Sequence, residues 1–435
     1  MKRVVITGIG TIAPLGIGKE QFWKNAIRGE SFLTADSEME AMGIKSNVVC
    51  RVLDFDLSNH CSGAEFEHLL EQDRVVQFGV CSGTMAWEDS GIDINQEDPE
   101  MLGTIFSSAI GGTPYIQKVY EQCTNRGTEE ISYVETGENF YNAGMFNYSA
   151  ALLARKYNLQ GHCTSLSTGC TAGLDALGLS FELIQSGEME IMMAGATEAP
   201  LTSLTYATLD VIGSLSVADC EPEKASRPFD VKRAGFVIGE AAAVLILEEL
   251  EHAQARGAHI YAEVVSYSSV SNAFHMTDLP DHGIPMAAVV RKVLESGKVA
   301  PEELDYINAH GSSTPQNDVF ETNAYKTVLG EQAYRVPISS TKSMIGHSLS
   351  SASLVGVVAT LGAIELSTIH PTANYEFPDP VCDLDYVPNV AREQEVNTAM
   401  LTASGFGGIH SAAILRKLKP EELAVSSTET SAIAV

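Results

Sequence analysis

The sequence predicts an α/β fold with buried strands, in a chain of 435 residues. Short apolar runs alternate with amphipathic stretches along it, the pattern of strands and helices packed in layers. A hydrophobic fraction of 45% and a charged fraction of 19% give the balance of a globular chain with a sizeable core. A second strand–helix series begins near Gly257, which invites a division into two similar halves.

Taken in order, the first strand is expected at Arg3–Thr7, where Val4, Val5 and Ile6 are β-branched and glycines follow at once. The same composition makes the start a buried strand rather than a signal peptide. An amphipathic stretch places a helix at Lys19–Arg28. Helix Gly173–Ser186, strand Met189–Ala194 and strand Ala242–Leu247 follow on the same two patterns. Around Gly257, HAQARGAHIYAEV closes one helix and opens a strand at Tyr261–Ser268. Beyond it come helix Met286–Ser296, strand Tyr306–Ala309, helix Phe320–Leu329, and strands Thr398–Ser404 and Ser411–Arg416. The expected units are residues 1–256 and 257–417, although no repeat is visible in the letters. Residues 418–435 end in EELAVSSTETSAIAV, rich in Ser and Thr and without a period, and are expected to be disordered or docked only weakly.

No stretch approaches the roughly 20 uninterrupted apolar residues of a membrane helix, so a cytoplasmic protein is expected. The net charge of −29 argues against a nucleic-acid partner, which needs a basic footprint. An acidic partner would need a local basic patch, and the candidates are Lys224 with Arg227, Lys232 with Arg233, and Arg155 with Lys156. None of the eight cysteines forms a CxxC pair, which removes the zinc-ribbon and thioredoxin readings and leaves no metal expected. Most should be reduced, buried, small apolar residues.

Four segments carry chemistry. In CTSLSTGCTAGLDALGL, Cys163–Leu179, small residues lead to Cys170 and a helix pattern begins directly after it. A thiol at a helix start sits where free N–H groups and the helix dipole favour an anion, which lowers its pKa from about 8.5 toward neutrality. In NAHGSSTPQND, His310 follows an apolar strand and precedes Ser312, Ser313 and Thr314, short donors suited to a polar ligand arm. SSTKSMIGHS places Lys342 and His347 beside a glycine and an expected helix start. ASGFGGIH is a glycine-rich turn able to expose N–H groups as an oxyanion hole, with Phe406 as a gate. Each segment alone has a structural alternative: a buried Cys, a satisfied His, a plain turn.

Together, STGCTAG, NAHGSSTPQND, STKSMIGHS and SGFGGIH resemble the β-ketoacyl synthase family in order and approximate spacing. ASRPFD, GFVIGEAAAVLILEEL and NAFHMT are similar to further family signatures, and the resemblance extends to about Lys417. It implies the thiolase fold, two duplicated α/β halves in a five-layered α-β-α-β-α arrangement, and decarboxylative Claisen condensation. By resemblance Cys170 is the nucleophile, and His310 and His347 bind the malonyl thioester and its enolate. Lys342 orients them, the N–H groups of Cys170 and Phe406 hold the oxyanion, and Ser312 and Thr314 contact pantetheine. Ile110 and Phe406 line the acyl tunnel. No bound cofactor is implied, phosphopantetheine arriving on an acyl carrier protein.

SGFGGIHSA, with Ser404 where fatty-acid enzymes usually carry Phe, and PQNDVFET are closer to the α subunit of type II polyketide synthases. That subunit pairs with a chain-length factor, and a homodimeric fatty-acid elongating enzyme is the alternative. Two departures stand out. Gly356 occupies the position of a Glu usual near the lysine, and Glu67, Glu71 and Ala218 fall where basic docking residues are usual, so the carrier footprint is expected to differ. Among rivals, Gly8, Gly10 and Ala13 satisfy the GxGxxA dinucleotide fingerprint, but Pro14, Leu15 and Gly16 interrupt the helix that should follow. A degradative thiolase would need a cysteine in the late glycine turn, and Cys382 lies outside it. A scaffolding subunit would not keep Cys170, His310 and His347 together.

Overall fold

The computed structural model describes residues 1–423. Ten strands form one continuous path. They are β1 (Val4–Ala13), β2 (Leu102–Ser107), β3 (Cys163–Leu166), β4 (Ile191–Glu198) and β5 (Ala241–Glu249), then β6 (Ala262–Ser271), β7 (Tyr306–Asn308), β8 (Ile338–Ser339), β9 (Thr398–Gly405) and β10 (Ile409–Arg416). Their spatial order is β8-β7-β9-β10-β6-β1-β5-β4-β2-β3, with Gly16–Ile17 folded back on the end of β1. Read outward from the junction, each half has its first strand beside its fifth, then its fourth, second and third. Both also share the same directions, with the first, fifth and fourth strands antiparallel and the second parallel to the fourth and third. The duplication that the letters conceal is thus explicit in the topology. The halves join where Val4–Ile6 pairs antiparallel with Ala262–Val264.

Alternation along the strands assigns the layers. Ala243, Leu245 and Leu247 of β5 and Ala413 and Leu415 of β10 point into a central core with helices α3 (Ala172–Ser186) and α6 (Ser351–Leu366). The intervening Ala242, Val244 and Ile246 face helix α2 (Arg74–Ser90), while Ala412 and Ile414 face α4 (Ile284–Gly297) and α5 (Pro315–Leu329). The result is helix, sheet, helix, sheet, helix. Helix α1 (Lys19–Arg28) matches its expected bounds and closes one end of the central layer, with Trp23 Nε1 donating to the Val358 carbonyl at 2.7 Å.

Several expectations are corrected. β1 does not stop at Thr7 but continues to Ala13, so Gly8 and Gly10 lie inside a strand rather than in a phosphate-binding turn. A Cβ on Gly10 would lie 1.9 Å from the Ser82 carbonyl oxygen, and one on Gly8 2.2 Å from that of Ala86. These glycines let α2 press onto the sheet. Of the two expectations for the tail, residues 418–423 take docking: Leu418 packs with Val5, Leu250 and Ala253, and Arg3 binds Glu422 at 3.0 Å. For the rest of the tail, residues 424–435, the expectation lies outside the described residues. Four of the six basic residues are committed to internal partners: Arg227 to Asp230 and Glu376, Arg233 to Asp379, Lys224 to Glu376 and Lys156 to Glu65, while Lys232 and Arg155 make no ion pair among the described residues. Among the described residues, no helix is long and apolar enough to cross a membrane.

Candidate active site

The turn after β3 carries Cys170. Gly169 has φ +65°, a conformation that suits glycine, and sets up a single 3₁₀ turn, Gly169–Thr171, that runs into α3. Asp175, one turn into α3, accepts from Thr168 and from Thr171 (2.8 Å) and also from Tyr267 (2.7 Å) and Ser411 of the second half. One carboxylate therefore fixes the Cys170 turn to the opposite sheet. The glycine turn after β9 lies against it. A Cβ on Gly405 would sit 3.2 Å from the Cys170 nitrogen, and one on Gly169 3.2 Å from the Phe406 oxygen. This approach brings the backbone N–H groups of Phe406 and Cys170 to the thiol, where both favour negative charge.

Burial is nevertheless the largest influence and pushes the Cys170 thiol up to about 11, against those N–H groups and the charge of Lys342. This corrects the expected depression toward neutrality. A helix start favours the thiolate, but here the sulfur is cut off from water, and desolvation outweighs the dipole. The buried carboxyl of Glu198, itself pushed up to about 7 by burial, adds to the rise.

His310 leaves the end of β7, and His347 follows the short helix Lys342–Ile345; their rings are 5.3 Å apart and nearly perpendicular. The Glu321 carboxylate of α5 receives the His310 and Gly311 N–H groups at 2.8 and 2.9 Å and holds the loop from behind. Lys342 Nζ donates to the His310 carbonyl at 2.6 Å. Burial lowers both imidazoles well below 6.5, with Lys342 adding to the effect, so both are neutral. Lys342 itself falls to about 8, chiefly by burial, with Glu321 opposing. His347 Nδ1 accepts the Leu349 N–H at 3.1 Å, which leaves the ring proton on Nε2.

Cys170, His310, His347 and Phe406 line one cavity of about 310 Å³. Ser312 and Thr314 also line it, their hydroxyls 2.9 Å apart, with Thr314 capping α5. Ile110 does not line this cavity; its N–H faces Glu198 at 3.4 Å. Cys382 is buried in the outer core of the second half, also off the cavity wall. At Gly356 a Cβ would lie 2.9 Å from Asn308 Oδ1. The space is taken by a neutral network in which Asn308 Nδ2 approaches Tyr306 Oη at 3.1 Å and His370 Nε2 at 3.3 Å. Sequence reasoning missed Glu321 and Asp175. Each is an acidic residue inside a helix pattern, where a charge signals a solvated face unless the fold buries it.

With this geometry in place, residues 1–253 match the model of the beta-ketoacyl synthase N-terminal domain, and residues 261–376 match that of the C-terminal domain. The chain belongs to the beta-ketoacyl synthase family. It has the thiolase fold and is a ketosynthase, a condensing acyltransferase. The tetracenomycin polyketide synthase ketoacyl synthase alpha subunit of Streptomyces glaucescens is 43% identical, with 96% of this chain and 98% of that protein covered. A solved type II polyketide synthase acyl-carrier protein in complex with its ketosynthase, bound to the hexaketide, includes a chain that superposes with a TM-score of 0.90. That chain is 40% identical, over 96% of this ketosynthase and 100% of its own length. The ishigamide ketosynthase/chain length factor gives a TM-score of 0.85 at 30% identity, covering 96% of this chain and 100% of that one.

Proposed function

We propose that this ketosynthase is the catalytic α subunit of a type II polyketide synthase, acting with an acyl carrier protein and a chain-length factor. The observation that carries its mechanism is the convergence of two backbone N–H groups and two neutral imidazoles on the space around one thiol. The Cys170 sulfur attacks an acyl thioester on the carrier protein; its proton leaves with the pantetheine thiol, and the acyl group stays on sulfur. The N–H groups of Phe406 and Cys170 stabilise the oxyanion of that step.

A malonyl thioester then enters along Ser312 and Thr314, its carbonyl oxygen facing His310 and His347. Loss of CO₂ leaves an enolate, to which His347 Nε2–H donates without surrendering its proton. The new carbanion attacks the acyl-Cys170 carbonyl, the carbon–carbon bond forms, and the thiolate departs to be reprotonated. Burial keeps the imidazoles neutral, with Lys342 adding to it, and Lys342 holds the His310 backbone. Phosphopantetheine is supplied by the carrier protein, so the protein needs no resident cofactor for this chemistry. The halves are residues 1–256, which carry the nucleophile, and 257–417, which carry the histidines, and the protein works in the cytoplasm. Ile110 belongs to the acyl tunnel on the Glu198 side of Cys170.

The test is purification with and without a chain-length factor, followed by incubation with malonyl-loaded carrier protein and mass spectrometry of Cys170 and products. Chain growth only in the mixed complex, lost in Cys170→Ala, is expected. Full elongation by the isolated homodimer would assign the protein to fatty-acid synthesis instead.

A further inference from the structure

Ser404 and His410 are partners across β9 and β10, and the reaction above uses neither. Both are buried. Ser404 sits on the cavity wall beside Gly405 and Phe406, with its Oγ 2.9 Å from His410 Nδ1. Behind the ring, Asn272 Nδ2 lies 3.4 Å from Nε2. The Asn272 oxygen is engaged elsewhere, accepting the Phe274 N–H at 3.0 Å, so the amide nitrogen is the end turned to the imidazole. That nitrogen only donates, so Nε2 accepts and the single proton of a neutral ring sits on Nδ1. Burial holds His410 at about 4, so the ring is neutral under working conditions. Nδ1 therefore donates to Ser404 Oγ, and the hydroxyl hydrogen is left to point away. Among the described residues Oγ has no other side-chain partner, and its open side is the cavity. The three groups form a one-way donor chain, each polarising the next, that ends at the substrate space.

We propose that Ser404 is a substrate-binding residue, donating to an oxygen on the third carbon of a thioester in the cavity, and that His410 and Asn272 are positioning residues that keep it a donor. The proposal rests on the ketosynthase reading and adds a contact to it. Two sources carry such an oxygen: the carboxylate of a malonyl thioester, and the β-keto group of a growing chain. A saturated acyl chain carries none, and a buried hydroxyl left unpaired by it disfavours it.

The experiment uses the active complex and carrier protein loaded with malonyl, acetoacetyl or butyryl groups. CO₂ release is followed for the first and Cys170 acylation for the other two. Ser404→Ala should raise the KM for malonyl carrier, or lower the acetoacetyl-over-butyryl preference, by about tenfold, as expected for one hydrogen bond to a carboxylate or carbonyl oxygen. The arm that moves identifies the oxygen. His410→Leu should reproduce that change, and His410→Asn, which keeps an N–H near the Nδ1 position, should restore the parent values. Ser404→Ala with unchanged malonyl KM and unchanged preference would overturn the subsite alone. So would equal losses on all three substrates, which mark a structural role. A parent complex that neither releases CO₂ nor acylates Cys170 would overturn the proposed function, and the subsite with it.

Discussion

At Cys170 two effects pull in opposite directions. The helix start, two N–H groups and Lys342 favour the thiolate, while burial favours the thiol and wins, setting it at about 11. Cys170 therefore rests as a thiol, and its alkylation by iodoacetamide should accelerate about tenfold per pH unit across the alkaline range below that value. Peptide mass spectrometry separates Cys170 from the other seven cysteines. Lys342→Ala removes a charge that lowers the thiol pKa, so it should slow alkylation below about pH 8, where Lys342 is charged, and change it little above; a faster reaction below pH 8 would contradict the account. The chemistry-bearing residues were legible because their segments keep a recognisable spacing. The ionisation of Cys170 was not, because it depends on how completely distant segments exclude water.

At the scale of elements, close approach is set by glycine. Gly10→Ala would place a methyl group against the Ser82 carbonyl of α2, an overpacking that should cost about 1–3 kcal/mol in urea denaturation. No change in the midpoint would show that α2 moves away freely. A second element-scale device joins helix Leu250–Ala255 to its neighbours, where His252 lies between Glu248 (2.5 Å) and Glu97 (3.0 Å). The Glu248 hydrogen bond, against some desolvation, holds His252 up at about 9. A folded pKa raised above the unfolded value of about 6.5 gives stability that is full below that pH and is lost as pH rises through about 9. Melting temperatures taken from pH 6 to 10 should fall across this window, and His252→Gln should flatten the fall.

Helix α6 was expected to begin near His347, but its extent escaped sequence reading. Fourteen of its sixteen residues are buried, so it has no polar face and no amphipathic period to detect. Strand β2 is buried throughout and was equally silent. Elements with one wet face, such as α1, were located to the residue.

For the molecule as a whole, a net charge of −29 means that self-repulsion opposes the compact state. Raising NaCl from about 10 mM to about 150 mM shortens the Debye length from roughly 30 to 8 Å and should raise the melting temperature. A fall on adding salt would mean that the surface ion pairs outweigh the repulsion. The same charge makes the internal commitment of Arg227 and Arg233 significant, because neither is free to attract an acidic partner.

The sequence by itself determined the class of fold and the order of the four motif segments, since these follow from local pattern, and the family resemblance of those segments singled out the residues proposed to carry the reaction. Only the tertiary structure decided that the halves share one strand order. It also showed that Gly8 and Gly10 serve packing, that Asn308 fills the space at Gly356, and that the Cys170 thiol rests protonated. Each of those depends on contacts between segments far apart in the chain, and burial and hydrogen-bond direction arise only when such segments meet.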